Sequence, residues 1–169
     1  MPTQPHPFLH TSLALLLSVL SLCGCQEKDN SVWQERPPLS PLPNLTCEVT
    51  FDTAQGKASV HADLAITPDE TARGLMFRKE PLGETQGMLF ALRKEQNQVF
   101  HMKNTFIPLD MIFVNEAMQV VGMVEKAQPQ TLTQRQVGVP SRYVLEVDGG
   151  WCKRHGIQVG QTVHFLPHP

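Results

Sequence analysis

The sequence predicts one mainly β domain with one or two short helices, arranged as a compact β-sandwich or a partly closed barrel. The 169 residues suit a single hydrophobic core with appendages. A content of 41% hydrophobic and 18% charged residues is typical of a packed protein. Short apolar or alternating runs recur between Gly and Pro turns. Because many short strands expose edges, we expect closure or a second sheet to hide them.

The first two strands are indicated by alternation of apolar and polar residues. Cys47, Val49 and Phe51 alternate with polar residues, and the same pattern returns from Val60 to Ile66. A turn around residues 53–56 separates the two runs, so we expect a hairpin with one buried face.

A short helix is expected directly after this hairpin. Thr67 is a good N-cap, Pro68 suits the first helical position, and Glu70 stands three residues after the cap. This spacing forms a capping box, in which Thr67 and Glu70 satisfy each other's backbone N–H groups. The helix is predicted to reach about Arg73 and to stop at Gly74.

The remaining strands are predicted from further runs of the same kind, which bring the total to about eight. The runs are residues 87–91, 99–102, 109–114, 120–124, 143–147 and 163–165. No repeat of fixed period relates them, which disfavours a repeat architecture.

Residues 1–24 are predicted to be a lipoprotein signal peptide. The first 25 residues contain no Asp, Glu, Lys or Arg, and the apolar run from Leu13 to Leu22 is too short to cross a bilayer as a helix. The segment Leu22-Cys23-Gly24-Cys25 resembles a bacterial lipobox, which makes Cys25 the expected lipidation site. His6 and His10 depart from the pattern, because they stand where signal peptides usually carry Lys or Arg.

Residues 25–46 are predicted to be the lipid anchor and a Pro-rich tether, and residues 47–166 to be the folded domain. Four prolines in the tether favour extended, polyproline-like chain. Gln26 follows the predicted lipidation site in place of the Asp that usually retains lipoproteins in the inner membrane. By resemblance to that sorting pattern, we expect the domain on the periplasmic side of the outer membrane.

Several ordered blocks of the folded region are similar to one known family. These blocks are Arg73–Arg78, Gly87–Phe90, Met102–Thr105, Pro108–Phe113 and Tyr143–Glu146. Together they resemble the core signature of the family called domain of unknown function 192, over about Val49 to Phe165. The resemblance implies a compact β-rich fold, often exported, with no established activity. His101 and Gln161 depart from it, because the family usually has an aromatic residue and an Asp at these positions.

Asp110 is the first candidate for a functional residue, because it lies in an otherwise apolar run. Alternation in residues 109–114 places Asp110 on one face with Ile112 and Val114. A carboxylate among such neighbours is costly unless it is paired or hydrogen-bonded. Glu146 raises the same question, because it shares a face with Val144 in another apolar run.

We therefore predict a ligand-binding cluster in which a guanidinium and amide or hydroxyl groups meet these carboxylates. Arg78 offers a planar group with five donors, and methionines supply a soft apolar lining. The predicted set is Arg78, Met102, Asn104, Thr105, Asp110 and Glu146. A planar polar ligand with a carboxylate, or a sugar-like molecule, would suit it. In the alternative interpretation, Asp110 and Asn104 only bind backbone amides of an irregular turn.

Charge and missing motifs disfavour several function classes. A net charge of −2 argues against nucleic-acid binding. The sequence contains no Gly-x-Ser-x-Gly elbow, phosphate-binding loop or dinucleotide fingerprint, and no cofactor is predicted. His101 beside Met102 is compatible with a Cu(I) site, but the methionines lie mostly in strand-like runs. We interpret them as core residues and predict no metal site.

Cys47 and Cys152 are candidates for a disulfide, because an exported protein meets an oxidising compartment. In the chain-entropy model, so long a loop would stabilise the fold by about 4 to 5 kcal/mol. The alternative is two buried free thiols, because nothing in the spacing brings the two Cα atoms together.

These observations predict a lipid-anchored periplasmic domain that binds a small polar ligand or an envelope protein. We expect a monomer that contacts the membrane only through its lipid. One alternative is a hydrolase acting on envelope carbohydrate, with Asp110 and Glu146 as weak catalytic candidates. Another is a structural accessory domain that presents a surface to an envelope protein. Whether the protein is an enzyme stays open, with a non-enzymatic role favoured because catalytic motifs are few.

Overall fold

A computed structural model describes residues 45–168, which form one seven-stranded mixed β-sheet and two short helices. The elements are β1 (Thr46–Thr53), β2 (Gly56–Ala65), α1 (Pro68–Arg73), β3 (Gln86–Gln96), β4 (Leu109–Val114), β5 (Val120–Ala127), β6 (Ser141–Asp148), α2 (Trp151–His155) and β7 (Val163–His168). The strand order is β5-β4-β6-β3-β2-β1-β7. The predicted fold class, mainly β with short helices, is confirmed.

The sheet is antiparallel except for β2 and β3, which are parallel and joined through α1. No continuous ladder closes the sheet formed by residues 45–168. Its two edges nevertheless meet at one end, where the Gly160 N–H donates to the Val120 carbonyl at 2.8 Å and the Val163 N–H donates to the Met118 carbonyl at 2.9 Å. The described domain is therefore one open sheet whose edges touch at one end.

The predicted hairpin and helix are both present. In β1 and β2, Val49 pairs with Val60 and Phe51 with Ala58, and all four side chains are buried. At α1, the Glu70 N–H donates to the Thr67 hydroxyl at 3.2 Å, and the Thr67 N–H donates to the Glu70 carboxylate at 2.9 Å. This is the capping box that the sequence predicts, because both first-turn donors find side-chain acceptors.

One predicted strand is absent, and the second helix stands at a position that the sequence did not indicate. Residues 99–102 form a loop with a single bridge, in which Phe100 and Arg135 exchange backbone hydrogen bonds of 2.9 and 2.8 Å. The prediction of a strand there is wrong, because Phe100 makes one isolated bridge and Met102 is buried in the core, whereas Val99 and His101 are exposed. Helix α2 begins after Gly150, a residue with φ of 90° that helix propensity alone does not mark as a start.

Both faces of the sheet are buried, each against its own hydrophobic cluster. Ile112, Val114 and the fully buried Trp151 belong to one cluster, which β1, β2 and α2 complete. Met111 and Phe113 belong to the other, which the turn after α1 and the loop before β4 cover. The alternation predicted for residues 109–114 is confirmed. A polar side chain in such a strand is buried whichever face it occupies.

Cys47 and Cys152 are buried free thiols, which is one of the two alternatives that the sequence left open. Cys47 lies on β1 and Cys152 on α2, and burial raises the pKa of both thiols. An oxidising compartment permits a disulfide only where two Cβ atoms approach closely, and sequence spacing does not reveal that approach.

The predicted signal peptide, Cys25 and the tether as far as residue 44 lie outside the described residues. Thr46, the last residue assigned to the tether, is the first residue of β1. Within residues 45–168, no helix combines the length and the apolar character that a bilayer crossing requires.

Candidate functional site

A pocket of about 200 Å³ lies beside β3 and β6. The end of α1 and the turn that follows it form one wall, and the loop before β4 forms the opposite wall. The lining residues are 71–76, Phe90, Leu92, 98–101, Thr105 and Glu146. The pocket therefore combines apolar side chains with several side chains that can form hydrogen bonds.

Glu146 contributes a buried carboxyl group to this pocket. On β6 it pairs with Met88 of β3 and Met111 of β4, so methionines flank it on both sides. Its exposed fraction is 5%, and burial raises the pKa of this carboxyl group to about 8. Within residues 45–168, no side chain or backbone donor satisfies the carboxyl group, and burial is the cause of the raised pKa. At neutral pH the group is therefore mostly a neutral carboxylic acid.

The wall after α1 depends on a close backbone approach at Gly74. This residue has φ of 48°, and its N–H donates to the Glu70 carbonyl at 2.8 Å. A Cβ atom at this position would stand 3.1 Å from Cζ of Phe90, closer than most carbon contacts. Gly74 thus lets the chain turn tightly over β3 and brings residues 74–76 to the pocket.

The opposite wall is held by backbone hydrogen bonds on both of its sides. The Met102 N–H donates to the Thr131 carbonyl at 2.9 Å, next to the bridge between Phe100 and Arg135. Asn104 adopts a left-handed conformation with φ of 55°, and its carbonyl accepts from the Phe77 N–H at 2.8 Å. This last bond connects the two walls directly. The pocket is consequently preformed by the backbone.

Polar side chains at the pocket supply donors and acceptors of several kinds. Gln98 is oriented by its amide nitrogen, which donates to the Lys94 carbonyl at 3.0 Å and to the Ser141 carbonyl at 3.1 Å. Thr105 is buried, and its hydroxyl has one long contact of 3.4 Å to the Lys103 carbonyl. The exposed residues Arg73 and His101 also line the pocket.

Asp110 is not part of this pocket, because it lies on the other face of the sheet. Its exposed fraction is 0%. One carboxylate oxygen accepts from the Lys126 N–H at 2.7 Å and the Gly150 N–H at 2.8 Å, and the other accepts from the Cys152 N–H at 2.9 Å. The side chain thus binds β5 and the first turn of α2. This supports the alternative interpretation, in which Asp110 binds backbone amides.

The prediction that Arg78 pairs with Asp110 is wrong. The Arg78 guanidinium donates to the Glu80 carbonyl at 3.0 Å and to the Gln86 side-chain oxygen at 2.8 Å. Asp110 does not need a guanidinium, since three backbone N–H groups already satisfy it. The predicted cluster is therefore divided between the two faces of the sheet.

Of the six predicted binding residues, Thr105 and Glu146 line the pocket. Met102 is fully buried in the hydrophobic cluster on the same face, and Asn104 contributes the carbonyl that joins the walls. The sequence did not indicate four further polar lining residues, which are Thr71, Arg73, Gln98 and His101. At position 101 the sequence has His where the family usually has an aromatic residue, and this difference was the one sequence signal for His101.

The two-carboxylate hydrolase alternative is contradicted by the register of β4 and β6. Glu146 pairs with Met111, whereas Asp110 pairs with Val147, so the two carboxyl groups point to opposite faces of the sheet. They cannot flank one glycosidic bond, which acid and base residues of a glycoside hydrolase must do. Within residues 45–168, no three His, Cys, Asp or Glu side chains gather in a way that would hold a metal ion.

Comparison with known families agrees with the fold. A family model named DUF192, described as an uncharacterized ACR, matches residues 50–165. The chain belongs to the DUF192 family. No curated protein is significantly similar to this DUF192 chain.

Two solved structures are similar to this DUF192 protein. A protein of unknown function from Novosphingobium aromaticivorans DSM 12444 shares 36% identity with a TM-score of 0.69, over 79% of this chain and 96% of that chain. A protein from Sinorhizobium meliloti 1021, provisionally described as a transcription regulator, shares 29% identity with a TM-score of 0.69, over 74% of this chain and 97% of that chain. These similarities support the fold and leave the activity unestablished.

Proposed function

We propose that this DUF192 protein is a lipid-anchored periplasmic binding domain, and that its pocket takes one small, uncharged molecule that carries hydroxyl groups. A single observation carries the proposal for the pocket. The Glu146 carboxyl group is buried at a pocket of about 200 Å³ and has no hydrogen-bond partner among residues 45–168. Because this carboxyl group faces the pocket and the described residues supply it no partner, a bound molecule can complete its hydrogen bonds.

The buried Glu146 end of the pocket favours a hydroxyl group over an ion, and the cationic Arg73 lines the pocket as an exposed side chain. A neutral carboxylic acid both donates and accepts a hydrogen bond, which matches a hydroxyl group. The Thr105 hydroxyl and the Gln98 amide add further polar groups of the same neutral kind. Leu75, Phe90 and other apolar lining residues fit the C–H surface of a compact ring.

The size of the pocket limits the ligand to a single small unit. Its volume of about 200 Å³ lies below the range of roughly 300 to 1,000 Å³ that is usual for drug-sized ligands. A nucleotide or a large cofactor therefore does not fit inside. The net charge of −2 does not favour nucleic-acid binding.

A pair of titrations tests the pocket. We would add D-glucose or N-acetyl-D-glucosamine to the full chain and measure the melting temperature and ligand-observed NMR signals. Binding to the folded state raises the melting temperature by mass action. Thr105→Val removes only the hydroxyl, and we expect about a tenfold loss of affinity. Arg78→Ala serves as the control and should leave the affinity unchanged.

Two results would contradict the proposed pocket. If neither sugar binds, or if Thr105→Val and Arg78→Ala have the same affinity as the wild type, the Glu146 pocket is not the site. The protein would then be better described as a structural accessory domain. Loss of binding in Arg78→Ala but not in Thr105→Val would place the binding site near Arg78 and Gln86.

The lipid anchor is proposed on the residues before the described domain. Cys25 follows a short apolar run, and the chain between Cys25 and Thr46 contains four prolines. We expect palmitate labelling of the wild type and of Cys23→Ser. Labelling that persists in Cys25→Ser would contradict the anchor.

A further inference from the structure

Two exposed aromatic side chains form a pair beside the pocket. The side chains of Phe77 and Phe106 are 47% and 39% exposed, respectively. Their ring centroids are 6.5 Å apart and the ring planes meet at 64°, which is an edge-to-face arrangement. Two exposed rings in contact form a larger apolar surface than a single exposed side chain does.

The pair is attached to both walls of the pocket. Phe77 follows Met76, and Phe106 follows Thr105, and both of these preceding residues line the pocket. The hydrogen bond from the Phe77 N–H to the Asn104 carbonyl, 2.8 Å long, keeps the two segments together. The aromatic surface is therefore continuous with the backbone that forms the pocket.

The backbone at Phe77 is held in an unfavourable conformation. Its φ of 68° lies in the left-handed region, which a bulky residue rarely adopts, and Asn104 opposite has φ of 55°. Such strain persists only where the surrounding structure imposes it, here through the hydrogen bond from the Phe77 N–H to the Asn104 carbonyl. Here the strained residue is also one of the two exposed rings.

We propose that the Phe77 and Phe106 rings, here called the aromatic pair, form a second subsite for a neutral carbohydrate chain. This inference rests on the proposed function of the pocket. One sugar ring occupies the Glu146 pocket, and the next ring lays its apolar C–H face on the aromatic pair. A sugar chain has both properties that the site requires, hydroxyl groups for the pocket and an apolar ring face for the aromatic surface.

The ligand class is then a neutral glycan of two or more rings, rather than a free monosaccharide. The pocket holds a single small unit, and each aromatic residue directly follows a lining residue along the chain, so only a ligand of two or more rings would contact both. A second contact increases affinity because the first has already positioned the chain. The two-ring ligand should therefore bind more tightly than the one-ring ligand.

The test compares chain lengths in two matched series. We would measure affinities of the full chain for N-acetyl-D-glucosamine and its β-1,4-linked dimer and trimer, and for glucose, maltose and maltotriose. In at least one series, we expect the dimer to bind about tenfold more tightly than the monosaccharide. Phe106→Ala should remove this gain and leave the monosaccharide affinity unchanged.

Two further variants guard against an indirect effect. Phe77→Asn removes the second ring and introduces a residue that tolerates the left-handed conformation, so it should also remove the gain. Leu166→Ala, which shortens a 58% exposed side chain on β7, is the control and should keep the gain. Melting temperatures of all variants report whether each one is folded.

The outcomes separate the two proposals. If monosaccharides bind and longer chains bind no more tightly, the aromatic subsite is refuted and the pocket stands. If the gain persists in both Phe106→Ala and Phe77→Asn, the second ring binds elsewhere and the subsite is likewise refuted. If no sugar of either series binds, the proposed function fails, and the subsite fails with it.

Discussion

Replacement of Asp110 by Asn tests whether this residue maintains the fold. One carboxylate oxygen accepts from the N–H groups of Lys126 and Gly150, and Asn can keep an oxygen there. At the other oxygen, an NH₂ group would face the Cys152 N–H, now 2.9 Å away, as two buried donors. One charge-assisted hydrogen bond is lost and one buried donor is left unsatisfied, so we expect a loss of about 2 to 4 kcal/mol of unfolding free energy.

Urea denaturation measures this loss in the transition midpoint, with an unchanged m-value if both proteins unfold in two states. For a domain of this size, the melting temperature should fall by about 10 °C. Asp63→Asn is the control, because Asp63 is an exposed residue on β2 and its substitution should change stability by less than about 0.5 kcal/mol. An Asp110→Asn protein as stable as this control would refute our account of Asp110. Reduced sugar affinity in the folded variant would instead place Asp110 in a binding site.

Three further predictions concern the pocket and its supports. In the folded protein Glu146 keeps its proton up to about pH 8, whereas in the unfolded chain it ionises near pH 4.5. Between these pH values, the unfolding free energy of the wild type should therefore fall by about 1.4 kcal/mol per pH unit relative to that of Glu146→Gln. Parallel pH profiles of the two proteins in urea denaturation would contradict this. Gly122→Ala should cost about 1 to 3 kcal/mol, because its Cβ would stand 2.5 Å from Cβ of Val137, and Val137→Gly, which removes that atom, should restore part of the loss in the double mutant. Thr67→Ala should cost about 1 kcal/mol by removing the N-cap of α1, and an unchanged denaturation midpoint would show that the cap is dispensable.

Much of the local structure was predictable because its causes are local. The capping box lies within four residues, and it places α1 correctly. Alternation in residues 109–114 predicts two buried faces, and both faces are buried against separate clusters. Segment 99–102 was not predictable in this way, because a short run with apolar residues has the same pattern in a paired strand and in a loop.

The sequence also identified Glu146 and Thr105 as candidate binding residues, but it placed them in a cluster with Asp110 that the structure does not contain. Alternation along β6 predicts that Glu146 is buried, because it places Glu146 on the same face as the apolar Val144. It does not show which residues of β3 and β4 stand beside it, since strand register follows from packing across the whole sheet. The contribution of Gln98 and His101 was missed for the same reason, because they reach the pocket through a loop held by residues 131–135.

By itself, the sequence determined the class of fold, the family and the presence of two buried carboxyl groups in apolar strands. These follow from composition, period and short motifs, which act over a few residues. Only the tertiary structure decided that one carboxyl group is satisfied and the other is not. The donors to Asp110 from Gly150 and Cys152 are 40 and 42 residues away along the chain, and no local pattern announces them. Glu146 lacks such donors, and that difference between the two faces of one sheet separates a structural residue from a candidate site.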